Sequence, residues 1–268
     1  MLVSMFRRLL SEPLITDIDI DSTERLVRHR TVLEKKPMLQ AVFSEWHRCF
    51  LELDEKYFTE ARGIRVELGA GVTPIRDTFP EVLATDLVPA PHLDKVLDAG
   101  CLDLPEASVR ALYGQNCFHH FPNVERFFVE AIRVLVPSGG IILIEPYYGL
   151  LAKIVFRRLF TSEFFDMQIP DWIAPVEGPM TGANQALSYI VFERDREVLH
   201  AKFPELSVVY TAPLRNYLRY FTSGALNFRQ LLPTALVPLL KLIEKALGPL
   251  DRYLALHYVI VLRRCPPR

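Results

Sequence analysis

The stretch Val66–Pro74, VELGAGVTP, constrains this chain more than any other. An apolar run ends on Leu68 and passes at once into Gly69 and Gly71. Such glycines tolerate positive φ and let a backbone come close to a ligand. Around and beyond this turn the chain alternates between strand and helix patterns. IRVELG, EVLATD, KVLDAG, ALYGQNCF and IILIEP read as five short strands. TPIRDTF and the stretch from about Val124 to Leu135 read as helices between them, with PSGG as the turn before the fifth strand. LSVVYTAPL and YLALHYVIVLRR read as two closing strands. This order predicts an α/β fold with a mostly parallel seven-stranded sheet and helices on both faces.

In an open sheet of this kind, ligands bind beyond the carboxyl ends of the strands. Three acids occupy such places. Asp86 ends the second strand, where a carboxylate can accept from both hydroxyls of a ribose. Asp98 ends the third and is followed by Ala99 and Gly100, small enough to leave a slot for a flat ring whose amino group needs an acceptor. Glu67 sits beside the glycine turn, within reach of a cationic amino group. Pro74 stands where a dinucleotide fingerprint, GxGxxG, would place its third glycine, which disfavours a nicotinamide or flavin cofactor. Charge narrows the partner further. With 31 basic and 32 acidic side chains, the chain lacks the footprint of a nucleic-acid binder. Cys49, Cys101, Cys117 and Cys265 are scattered and form no CxxC pair, so a reducing compartment is expected rather than a zinc knuckle or a disulfide framework. No apolar run reaches the roughly 18 residues of a transmembrane span. The start, MLVSMFRRLLSEP, places its charges after its apolar residues, the wrong order for a signal peptide. The expected location is cytoplasmic, with peripheral contact to the inner face of a membrane as an extension.

ELGAG, ATDL, VLDAGCLDLP and QNCFHHFPNVERFFVEAIRVLVPSGGIILIEPYY together resemble the class I S-adenosylmethionine-dependent methyltransferases of the type 11 group, over residues 64–148. The resemblance implies a Rossmann-like fold and S-adenosyl-L-methionine as cofactor. Residue by residue, it implies Glu67, Gly69, Ala70 and Gly71 around the methionine part, Asp86 and Leu87 at the ribose, Asp98 and Ala99 at the adenine, and Asn116 beside the reacting centre. DIDIDS…KKPMLQAVFSEWH and GPMTGANQALSYIVFERDRE…FPEL are similar to a bacterial subgroup whose members often accompany surface-polysaccharide or other glycan biosynthesis. The chain departs from the family pattern at three points. Thr73 replaces the third glycine of GxGxG, Gly114-Gln115 interrupts a strand that is normally apolar, and the PGG turn is lengthened to Pro137-Ser138-Gly139-Gly140.

Methyl transfer to a hydroxyl needs the nucleophile about 3 Å from the methyl carbon and a group to take its proton. His119 and His120 after the fourth strand, and Glu145 after the fifth, are the candidates. Two adjacent histidines also invite a metal. Neighbours on one strand point to opposite faces, so none is expected. TDIDIDS lacks the glycine and distal glutamate of an EF-hand and reads as a solvated turn with a helix cap at Asp21 or Ser22. Residues 1–60 read as an N-terminal helical extension, in which Pro37 starts a second helix. Residues 61–268 read as the methyltransferase domain, with lid insertions at about 150–187 and 215–250. Tyr147, Tyr148, Arg157, Arg158, Trp172 and Asn184 are candidates for an acceptor pocket, or for the lid's own core. In 231–250, Leu236, Leu239, Leu240, Ile243 and Leu247 share one face and Lys241, Glu244 and Lys245 the other. That face suits packing on the domain, a homodimer or an interfacial membrane contact. The expected function is S-adenosylmethionine-dependent O-methylation of a small-molecule or glycan acceptor, free or lipid-linked. The alternatives are a non-catalytic S-adenosylmethionine-binding or interaction protein and a nicotinamide-dependent oxidoreductase.

Overall fold

The structure, a computed structural model, describes residues 10–173, 178 and 180–265. Most of the opening MLVSMFRRLL, and 174–177 and 179 of the Pro/Gly-rich stretch, lie outside the described residues. Two helices lead, α1 (Thr23–Glu34) and α2 (Pro37–Tyr57), the second opened by its proline. Seven strands then form one sheet: β1 (Ile64–Leu68), β2 (Val82–Asp86), β3 (Lys95–Val96), β4 (Val109–Gln115), β5 (Leu135–Pro146), β6 (Leu206–Pro213) and β7 (His257–Arg264). Their order is β3-β2-β1-β4-β5-β7-β6. The first five are parallel, and β7 runs antiparallel between β5 and β6. This is the mostly parallel seven-stranded sheet that the strand pattern predicts, in the Rossmann-like class I arrangement that the resemblance implies. The central strands read as nearly unbroken apolar runs because helices cover both faces. In β5, Gly140 through Pro146 are all buried.

Several elements differ from expectation. TPIRDTF makes only a single 3-10 turn, Ile75–Asp77. β3 is two residues long. PSGG is not a separate turn. β5 runs through it, Ser138 takes a φ of +65°, and the register against β4 shifts by three residues between the Val109–Leu135 and Ala111–Gly140 pairs, an irregularity that takes up the lengthened PSGG.

The helical extension is bolted to the sheet by Asp54 of α2. Its carboxylate is fully buried and accepts from Arg65 Nε (2.8 Å), Arg110 Nε (2.6 Å) and the Tyr113 hydroxyl. The expected solvated turn at TDIDIDS is also tied down. Asp21 accepts from the Met180 amide (2.7 Å), the Thr181 amide and the Thr181 hydroxyl, while Ser22 takes the N-cap position of α1. The C-terminal greasy segment forms α8 (Val237–Ala246), numbered after α3 (Val124–Val134), α4 (Leu150–Arg158), α5 (Leu187–Tyr189), α6 (Arg196–Lys202) and α7 (Tyr217–Thr222). The expected two faces are only partly kept: Leu240 of the apolar face and Glu244 of the polar face are buried, whereas Leu239, Leu242 and Ile243 are exposed together with Lys241 and Lys245. The cause is Arg219, a buried cation on α7 whose backbone amide and Nε both donate to Glu244 (3.0 and 2.7 Å). Among the described residues no helix is long and apolar enough to cross a membrane.

Candidate active site

The carboxyl ends of the strands open into one cavity of about 540 Å³. At its donor end, Gly69 and Gly71 take φ of +61° and +55° as β1 turns back beneath the cavity. A Cβ on Gly69 would stand 2.6 Å from the Cβ of Cys117, so the turn closes only with glycine there. The departure at Gly114 has the same origin. A Cβ on it would meet Cys117 Sγ at 2.8 Å and Leu143 Cδ2 at 2.9 Å. Asp86 accepts from the Gly71 amide on Oδ2 and the Val88 amide on Oδ1, both at 3.0 Å, and it still lines the cavity. Each of its oxygens keeps a second lone pair for a ligand hydroxyl. Asp98 accepts from the Gly100 amide (2.7 Å) and lines the cavity with Ala99, Leu87, Ala70 and Asn116.

Two orphaned atoms test whether this end fits S-adenosyl-L-methionine. Gln115 Oε1 and Asn116 Oδ1 are buried, without a hydrogen-bond partner, in residues that line the cavity. Asn116 is held there at φ +50°. Buried acceptors of this kind call for a donor from a bound polar molecule. Together with a ribose-competent carboxylate and a glycine turn open to the cavity, they fit the cofactor. Glu67 does not line the cavity. It is buried beneath the turn, and its Oε2 accepts from the Ile75 amide at 2.7 Å. Burial, aided by Asp77 and Asp86, pushes its carboxyl up to about 8. Glu67 therefore anchors the loop, in place of the expected pairing with the methionine amino group.

The histidine-lined end, the expected acceptor side, is built on a 3-10 turn, Phe118–His120, not on a strand. Glu145, fully buried, holds that turn. Its Oε1 accepts from the Cys117 and Phe118 amides (2.9 Å each), and its Oε2 meets His119 Nδ1 at 2.5 Å. Cys117 and His119 line the cavity but Glu145 itself does not, so Glu145 positions the turn from behind and is out of reach of an acceptor. His119 Nε2 meets Glu163 Oε2 at 3.1 Å. Burial works against charge on His119, but the Glu145 and Glu163 carboxylates outweigh it and push the imidazole up to about 10. With both ring nitrogens donating, His119 has no lone pair to receive an acceptor's proton. His120 is the opposite case. Burial and its neighbour His119 drive its imidazole down to about 3, and its Nδ1 has no hydrogen-bond partner. The two rings lie 4.3 Å apart. The expectation that adjacent histidines diverge fails because a 3-10 turn, unlike a strand, does not alternate its side chains.

Glu163, in the loop after α4, carried no motif and escaped the sequence reading. So did Arg25 of α1, Phe156 of α4, Tyr220 of α7 and His257 of β7, which line the same end. The residues expected there do other work. Trp172 Nε1 donates to Asp195 (2.9 Å), Asn184 pairs with Asp166, Arg157 lies over Phe165, and Tyr147 and Tyr148 pack on Tyr258. Neither they nor Arg158 line the cavity.

Comparison with known proteins points the same way. Residues 69–143 match a family model described as a methyltransferase domain. No curated protein matches the chain. Among solved structures, a chain of the complex between the Haloferax volcanii Trm112 methyltransferase activator and a methyltransferase is 13% identical, with 92% of this chain and 97% of that one covered and a TM-score of 0.50. Geranyl diphosphate C-methyltransferase from Streptomyces coelicolor is 14% identical, covering 96% and 90%, with a TM-score of 0.49. An S-adenosylmethionine-dependent methyltransferase from Mesorhizobium loti is 16% identical, covering 80% and 96%, with a TM-score of 0.44. The first of these likenesses supports the fold. The family match adds the chemistry: residues 69–143 carry a methyltransferase domain, and its cofactor is S-adenosyl-L-methionine.

Proposed function

We propose that the chain methylates an oxygen of a small-molecule or glycan acceptor, free or lipid-linked, at the His119–His120–Glu163 end of the cavity. One observation carries this reading. A single cavity runs from the glycine turn and Asp86 to that cluster, with Asn116 between them. When bound, S-adenosyl-L-methionine supplies an electrophilic methyl group on a sulfonium and departs as the thioether S-adenosylhomocysteine once an acceptor oxygen has taken the methyl and released its proton. The protein's share is to bind, orient and handle that proton. Asp86 and Asp98 hold the donor end. Glu145 fixes the turn that presents the two histidines. His120, neutral and with an unpartnered Nδ1, and the Glu163 carboxylate face the acceptor's proton and pass it on toward solvent without keeping it. Arg25, whose Nε is buried without a hydrogen-bond partner, favours an acceptor carrying a phosphate or carboxylate.

The division of labour follows the chain. Residues 1–60 are an accessory helical extension that supplies Arg25. Residues 61–268 form the methyltransferase domain, with 150–187 and 215–250 as its acceptor-side cover. The exposed apolar side chains Leu239, Leu242 and Ile243 on α8 suit peripheral contact with the inner face of a membrane, or a homodimer, for a cytoplasmic enzyme. The test of function is release of S-adenosylhomocysteine across a panel of nucleotide sugars, lipid-linked glycans and phenols. Acceptor-dependent release supports the reading. Tight cofactor binding with no release on any acceptor would leave a non-catalytic binding protein instead.

A further inference from the structure

His119, His120 and Glu163 each offer one ligand atom, and the three atoms lie within 4.8 Å of one another. All three residues line the cavity. Behind them, Glu145 Oε2 meets His119 Nδ1 at 2.5 Å, which leaves His119 Nε2 directed at Glu163 (3.1 Å). A carboxylate behind a ligating histidine is the usual support of a bound metal, because it fixes the tautomer and the ring orientation. Here that support is itself pinned by two backbone amides, those of Cys117 and Phe118. His120 brings a second imidazole, with its buried Nδ1 unpartnered. Arg25 lines the same cavity, but two carboxylates, Glu145 and Glu163, outnumber it at the cluster.

We propose that His119, His120 and Glu163 bind one divalent transition-metal ion at the acceptor end, the ion displacing the proton that His119 Nε2 otherwise donates to Glu163. Two imidazoles and one carboxylate suit Zn²⁺, Fe²⁺ or Co²⁺, and suit poorly Mg²⁺ or Ca²⁺, which prefer all-oxygen sites. Three protein ligands leave positions open to the cavity, where an acceptor oxygen or a phosphate would complete the coordination. The proposal deepens the reading of this end as the acceptor side and rests on it for its role, though not for its test: with the ion in place His120 and Glu163 act on the acceptor's proton through the metal and not as free bases.

The test uses the whole chain, stripped of metal with a chelator and without methyl donor. Co²⁺ is titrated while its visible d–d absorption is recorded, and Zn²⁺ is measured by equilibrium dialysis. The expected result is saturable binding of one ion per chain. Glu163→Gln and His120→Ala should weaken it at least tenfold, and Glu145→Gln by about 10- to 100-fold. Calorimetric affinity for S-adenosyl-L-methionine, measured on the same samples, reports whether each variant is folded. Absence of saturable binding in the wild-type chain, or unchanged affinity in both ligand variants, overturns the metal site. A chain that binds Co²⁺ normally but has no affinity for S-adenosyl-L-methionine would instead defeat the methyltransferase reading and leave the metal site standing.

Discussion

The two ends of the cavity are assembled differently. At the donor end, Gly69 and Gly71 follow β1, and Asp86, Asp98 and Asn116 sit at the ends of β2, β3 and β4. At the acceptor end, Arg25, His119, His120, Glu163, Tyr220 and His257 come from α1, the turn after β4, the loop after α4, α7 and β7. The first end needs only the sheet. The second exists only when the helical extension and the cover are docked on it. Donor binding should therefore survive changes that abolish acceptor chemistry, and the converse should fail.

The sharpest way to break this comparison is His120→Ala. Loss of a group that handles a proton costs about 10²–10⁴ in rate. Turnover should fall by that much in an S-adenosylhomocysteine release assay, while donor affinity stays within about twofold of wild type. Next in size is Asp54→Ala, which strips the buried partner from Arg65, Arg110 and Tyr113. Arg65 keeps Glu55, but the buried Arg110 is left with only that exposed carboxylate 3.6 Å away, so the loss in urea unfolding should approach that of a broken buried pair, about 3–5 kcal/mol. If the variant unfolds as late as wild type, the extension is not bolted to the sheet as described. Asp86→Ala acts on the other end. Loss of hydrogen bonds to a charged group is worth about 1.5–3 kcal/mol, so donor affinity should drop roughly 10- to 150-fold by calorimetry.

The smallest effect concerns Glu67→Gln. The folded-state carboxyl sits at about 8, against an ordinary 4.5. Between these values the folded chain keeps a proton that the unfolded chain has released. Stability is thus present in full below about 4.5 and falls as pH rises toward 8. The glutamine variant, which can still accept from Ile75, should melt higher than wild type at pH 8, and the difference should vanish near pH 4. Its donor affinity should be unchanged. A large loss would return Glu67 to the methionine amino group.

How legible each end was depends on its construction. Strand ends are local features. A glycine turn after an apolar run and acids after short strands can be found by reading along the chain, and Asp86, Asp98 and Asn116 do reach the cavity. Glu163 could not be found that way, because its loop has no pattern and its partner His119 lies 44 positions earlier. Helical periodicity groups the apolar side chains of α8 on one face and leaves open what covers it. It cannot foresee that Arg219, once buried, claims Glu244 from the other face. Glu145 was found, but with the wrong role. A carboxylate at a strand end is equally able to face the cavity or to bind the next turn's amides, and only the backbone path of Cys117 and Phe118 decides.

The most direct test of separable ends is calorimetric titration of S-adenosyl-L-methionine into Asp86→Ala and His120→Ala side by side with wild type. A steep loss of affinity is expected in the first and none in the second. Equal losses in both, or none in either, would contradict a cavity whose donor and acceptor ends are built independently.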